Sequence, residues 1–154
     1  MAVLPLHEKA VVRPWYPHML PQDAETWTRF LQGRQWVPEH VWYDLHVGQE
    51  VQLPAGSPAW LLRVAAGVTR KRIDVVGFLG GTYYVVEVKP YMNQLALGQA
   101  LVYVPLFEAE FALQGKAVAC VVCDQVDIDV GPIANRMGVT IWSNEYVPEI
   151  VDYR

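Results

Sequence analysis

Apolar and polar positions along this chain fall into several distinct periods. Over 21–32, Ala24, Trp27, Phe30 and Leu31 recur at helical spacing, Pro21 suits a first turn and Gly33 supplies a stop, so a helix is expected there. Over 41–47, Val41, Tyr43, Leu45 and Val47 alternate with Trp42, Asp44 and His46, the pattern of a strand with one buried face. The stretch 59–66 is apolar throughout and stays open between strand and short helix. Residues 70–79 and 82–89 are dense in β-branched and aromatic side chains, and the Gly80-Gly81 pair between them suits a primed two-residue hairpin turn. Pro90 ends the second of these strands, since it has no donor for the ladder.

Downstream, a helix is expected to begin near Asn93 and to be kinked or ended at Pro105. A buried strand over 116–123, a short helix over 127–137 weakened by Gly131-Pro132, and a last strand over 139–142 complete the series. Prolines crowd the chain before residue 60, so residues 1–20 read as an irregular N-terminal arm on a core spanning about 21–142. Helix, strand, hairpin, helix, strand, helix, strand is the order of an α/β fold. It implies a mixed β-sheet with a central antiparallel hairpin, flanked by helices and forming a single domain over 1–154.

Composition narrows the class. With 53% hydrophobic and 18% charged residues among 154, the chain is neither disordered nor short of a core. No apolar run reaches the roughly 18 residues that span a bilayer, and the N-terminus lacks the pattern of a secretory signal. Two cysteines make no disulfide framework, so a reducing, cytoplasmic setting is expected. A formal charge of −4, from 12 Lys and Arg against 16 Asp and Glu, argues against binding nucleic acid through a uniformly basic surface.

The hairpin register changes that picture. With Gly80 and Gly81 as the loop, Leu79 faces Thr82, Val76 faces Val85, Asp74 faces Glu87 and Arg72 faces Lys89. Two carboxylates directly across a ladder are destabilising unless a positive charge joins them or one stays protonated. Lys89 shares the face of Glu87, because strand side chains alternate. Asp74, Glu87 and Lys89 therefore converge on one spot, with Arg72 beside them. Hard divalent cations favour one or two carboxylates, and a neighbouring lysine orients a metal-bound water or stabilises developing phosphate charge. An E-x-K triplet alone is commonly a solvated salt-bridging face, but here the flanking Ile73, Val75, Val76, Val85, Val86 and Val88 mark a covered hairpin.

Asp74 followed, after a glycine turn, by Glu87-Val88-Lys89 resembles the signature of the PD-(D/E)XK nuclease superfamily. Gln99 and Tyr103, neighbours on one helix face, resemble the Q-x-x-x-Y element of several of its branches. The chain is most similar to short phage- and prophage-encoded members. Two departures are Val75, where an acidic residue would follow Asp74, and Ile73, at the position of the motif's proline. The resemblance implies a restriction-endonuclease-like fold and Mg²⁺- or Mn²⁺-dependent hydrolysis of DNA, with RNA left open. Asp74, Glu87 and the Val88 carbonyl would ligate the metal. Lys89 would position or activate the attacking water, and Gln99 and Tyr103 would support the site or contact the phosphate backbone. Many members add a first-helix glutamate. Glu25 is the candidate but lies off the apolar face, four residues before Arg29, so an exposed ion pair with Arg29 is the expectation, and one metal or two stays undecided.

Arg70, Lys71 and Arg72 form the one dense basic cluster and read as phosphate contacts, with Arg63 as a further candidate. A second reading makes the chain a virion or complex component with a nuclease fold, acting at head completion or DNA ends with a phage partner. A third is a binding module whose hairpin charges form a salt-bridge network. A homo-oligomer fits the small size. For a phage-encoded protein, the host cytoplasm or the virion is the expected location. Cys120 and Cys123 lie in an apolar strand on opposite faces and read as core thiols. His7, His18, His40 and His46 show no metal spacing, and Trp42 reads as core, with base stacking as a remote alternative.

Overall fold

The computed structural model describes residues 1–145 and shows an α/β fold around a mixed five-stranded sheet. The domain reading extends to Arg154, and 146–154 lie outside the described residues. Residues 1–20 hold only isolated bridges, Ala2 to Phe111 and Glu8 to Val41. Helix α1 (Pro21–Gly33) and strand β1 (His40–Val47) follow, then helix α2 (Ala59–Thr69), strand β2 (Lys71–Leu79) and strand β3 (Thr82–Val88). After the short strand β4 (Tyr91–Met92) come α3 (Gln94–Glu110), β5 (Lys116–Cys123), β6 (Gln125–Val126), α4 (Val130–Arg136) and β7 (Thr140–Ser143). The sheet order is β1-β2-β3-β5-β7, antiparallel from β1 to β3 and parallel from β3 to β7. Strands β4 and β6 form a separate parallel pair, too short to leave a period in the sequence.

Side-chain alternation in β3 and β5 separates two layers. Val86, Val88, Cys120 and Val122 pack with Trp27 and Phe30 of α1. On the opposite face, Tyr83 and Val85 meet Tyr103 and Phe107 of α3, while Val121 and Cys123 meet Ala96 and Ala100 of α3 and Ala134 of α4. The two parallel crossovers thus cover the same face, as connections of one hand require when they step in one direction. Gly80 and Gly81 both adopt positive φ, +57° and +80°, the geometry of the expected primed turn.

Several elements differ from expectation. The open stretch at 59–66 is helical and runs on to Thr69. Helix α3 continues through Pro105 to Glu110. Pro105 is exposed, so the carbonyl deprived of its donor lies near solvent. Helix α4 is shorter than 127–137, because the Asp127 carboxylate accepts the backbone N–H groups of Asp129 and Val130 and holds that segment as a turn.

The alternation expected for β1 holds over only half the strand. Val41 and Tyr43 face α1, but Leu45 and Val47 join the α3 side, and in β2 Val75 faces α1 while Ile73 faces α3. Both strands reverse phase between the same rungs. Asp44 and Asp74, opposite each other at that level, are both missing from the ladder, and Asp44 has φ +53°. The cause is a local left-handed residue, which no period in the sequence announces.

Candidate active site

The hairpin pairs Leu79 with Thr82, Phe78 with Tyr83, Val76 with Val85 and Val75 with Val86, the register expected from the turn. One step further, where Asp74 meets Glu87, the ladder gives way. The Val88 N–H donates instead to Asp74 Oδ2, at 2.9 Å. Asp74 and Glu87 still come together, near enough for the charge of Asp74 to act on Glu87. The phase reversal at Asp74 thus converts a rung of the sheet into a carboxyl pair at its rim.

Burial and like charge dominate this pair. Glu87 is 2% exposed, and burial, then repulsion from Asp74, pushes its pKa up to about 9. Burial likewise raises Asp74, to about 6, against the opposing effects of the Val88 N–H and Lys89. The Lys89 ammonium stands 3.5 Å from Glu87 Oε1 and 4.0 Å from Asp23 Oδ2. Its partial burial disfavours the charge, but Glu87, Asp23 and Asp74 outweigh that and hold it above the ordinary lysine range. A half-buried lysine beside three acids stays cationic.

Asp23 was not anticipated as part of this cluster. It is 6% exposed, its carboxyl raised by burial despite Lys89, and it comes from α1, on the other side of the sheet from α3. A sequence signal existed: Asp23 lies four residues before Trp27 and seven before Phe30, on the buried face of α1. Glu25 is exposed, as expected, but Arg29 is not its partner in a salt bridge. Arg29 binds Asp124 through Nε at 3.0 Å and Nη2 at 2.6 Å. Asp124 also accepts Thr26 Oγ1 at 2.8 Å and Asn144 Nδ2 at 3.0 Å. Burial alone would raise the Asp124 carboxyl, yet the hydrogen bonds from Arg29, Asn144 and Thr26 hold it low. This network fastens α1 to the end of β5, and so places Asp23 beside Lys89.

From α3, Gln99 Nε2 lies 3.4 Å from the Tyr103 hydroxyl, so the two share a face as expected. Burial and the nearby Glu87 raise the Tyr103 phenol. Among the described residues, Glu87 Oε2 and Gln99 Oε1 are buried without a hydrogen-bond partner. Native proteins seldom leave such acceptors empty, and two of them here mark a place for a donor or a cation.

The basic cluster is largely engaged elsewhere. Arg72 does not stand beside the acids: Nη1 holds both Asp44 oxygens at 2.8 and 2.9 Å, and Nη2 donates to the Gly67 carbonyl at 2.6 Å. Arg70 binds the Gly48 carbonyl at 3.0 Å and Glu110 at 2.8 Å. Lys71 is exposed at the start of β2, and Arg63 is exposed on α2. Cys120 and Cys123 are buried thiols raised to about 12 by burial. Trp42 is core rather than a stacking platform, 7% exposed with its indole N–H on the Pro5 carbonyl.

Asp74 and Glu87 offer hard oxygen donors. Among the described residues no three His, Cys, Asp or Glu side chains stand in metal-binding geometry. A cation at this pair would complete its shell with a backbone carbonyl, waters and substrate oxygens, the habit of Mg²⁺. No protein-family model matches this chain, and neither a curated protein nor a solved structure matches it.

Proposed function

We propose that this chain is a Mg²⁺- or Mn²⁺-dependent nuclease that hydrolyses DNA phosphodiester bonds on a restriction-endonuclease-like core. The observation that carries the reading is buried Glu87 paired with half-buried Asp74 beside Lys89, with Glu87 Oε2 lacking a partner. The sheet order supports it: after α1, the antiparallel strands β1 to β3, with α2 inserted between β1 and β2, then the crossover helix α3 and the parallel strand β5. The donor set fits a hard cation, because two acids that repel each other in a buried place are both ionised only when positive charge joins them. Asp74, Glu87 and the Val88 carbonyl would hold it, and when bound it would polarise the phosphate and acidify a water.

The chain's own groups do the rest. Lys89, kept protonated by Glu87 and Asp23, orients the attacking water and stabilises charge on the phosphate oxygens. Asp23 positions the lysine head from the α1 side. Gln99 and Tyr103 wall the Glu87 side of the site. Lys71 is the exposed basic group available to a flanking phosphate, while Arg70 and Arg72 act through their field, each already held by an acid. Positive charge near the site is thus local, consistent with a net charge of −4.

Incubation with circular and linear DNA, with and without Mg²⁺, tests the reading. Wild type is expected to cleave only with metal, and Lys89→Ala and Asp74→Asn are expected to lose at least a hundredfold in rate. Cleavage retained by both variants would refute the site. No cleavage of any DNA would favour the structural alternative, a virion or complex component with the same fold.

A further inference from the structure

Asp44 gathers a second polar cluster outside the carboxyl pair. Arg72 holds its carboxylate, and the imidazoles of His18 and His46 approach Oδ2 through Nε2, at 3.5 and 3.8 Å. His18 comes from the N-terminal arm, His46 from β1 and Arg72 from β2. Asp44 and His18 both stand in the left-handed region, φ +53° and +55°. Two such residues whose side chains meet mark a place where the fold holds an unfavourable backbone to aim particular groups. Neither imidazole is a core histidine: the side chain of His18 is 63% exposed and that of His46 30%.

The charges suit an anion. Arg72 balances Asp44, so each proton taken up by an imidazole leaves a net positive charge on the cluster. His46 faces Asp44 on its own strand, Arg72 and Arg70 at the start of β2, and His18 on the arm, while Arg70 is itself held by Glu110 of α3. Burial first, and then Arg72, keep His46 below the ordinary imidazole range against the pull of Asp44. Further negative charge at the cluster would therefore favour its protonation. The fold also sets this cluster beside the candidate active site. Asp44 lies opposite Asp74 across β1 and β2, and Arg72 is two residues from Asp74, about 7 Å along a strand. Helix α1 brings Asp23 to Lys89 from its first turn, and His18 lies three residues before that helix. We propose that His18 and His46, gathered on Asp44 beside Arg72, form a phosphate subsite for the nucleic-acid backbone next to the cleaved bond, gripping more tightly as the imidazoles gain protons. The identity of the ligand rests on the nuclease reading.

Binding of a short labelled DNA duplex in EDTA, at pH 6 and pH 8, tests it with the full chain. Wild type is compared with a double variant, His18→Asn with His46→Gln, in which asparagine tolerates the left-handed backbone. EDTA prevents metal-dependent cleavage, and Asp74 and Glu87 are present in both proteins, so the difference between the two reports the histidines. At pH 6 wild type is expected to bind about tenfold more tightly than the variant, with a salt dependence steeper by about one to two units in the log–log slope. At pH 8 the two should agree within about twofold. The imidazole proton resonances that the variant lacks should titrate at higher pH when the duplex is bound, as linkage requires. Inorganic phosphate at the same phosphate concentration should leave them in place, and an equal shift would overturn the backbone as ligand. Equal binding by the two proteins at pH 6, or binding by neither, would overturn the subsite. Cleavage with Mg²⁺ would then leave the nuclease reading standing, whereas binding as expected without cleavage would remove that reading alone.

Discussion

Glu87 is the residue on which the electrostatics turn. Burial and Asp74 hold its pKa near 9, far above the ordinary 4.5. For a carboxyl raised in the folded state, the stabilising contribution is fully present below about pH 4.5 and is lost as pH climbs towards 9. Glu87→Gln keeps the shape and removes that dependence. In metal-free buffer at pH 8 it is expected to be more stable than wild type by about 1–2 kcal/mol, on the scale of a single pKa unit, while cleavage is lost. A urea titration at pH 6 and pH 8 checks this, and equal pH slopes for the two proteins would contradict it. At this scale the turn-derived register identified Asp74, Glu87 and Lys89. Asp23 escaped because its role depends on where α1 docks, which no local pattern states. Arg72 was misplaced for a related reason: the left-handed Asp44 turns its carboxylate onto that guanidinium.

Between elements, the joint that matters is α1 against the end of β5. Asp124 accepts hydrogen bonds from Thr26, Arg29 and Asn144, and it is itself nearly buried. Asp124→Ala should destabilise the fold by about 2 kcal/mol, less than for a fully enclosed pair because Arg29 is about half exposed. The same variant should slow cleavage severalfold, since Asp23 rides on α1. Thermal melts paired with rates check both, and an unchanged melt would remove the anchor from the account. Most elements were legible as hydrophobic periods, including α1, the hairpin and β5. Helix α2 was ambiguous because an apolar run with no polar alternation carries no period at all. Pro105 does not end α3, whose Tyr103 and Phe107 pack into the core on either side of it, so of the kink or end expected there the end is ruled out.

Over the whole molecule, the net charge of −4 goes with a local gathering of acids, Asp23, Asp74 and Glu87 around Lys89, and the proposed cation would join them there. None of the described helices is long and apolar enough to cross a membrane. The most direct test of the central claim needs no knowledge of the substrate, because the Asp74–Glu87 pair is itself the claim. Thermal unfolding should be followed during a titration with Mg²⁺ or Mn²⁺ at pH 8, for wild type and Asp74→Asn. The account predicts that wild type rises in melting temperature with metal, by the linkage of binding to folding, and that the variant does not. A wild type indifferent to either cation, or a variant stabilised equally, would contradict it.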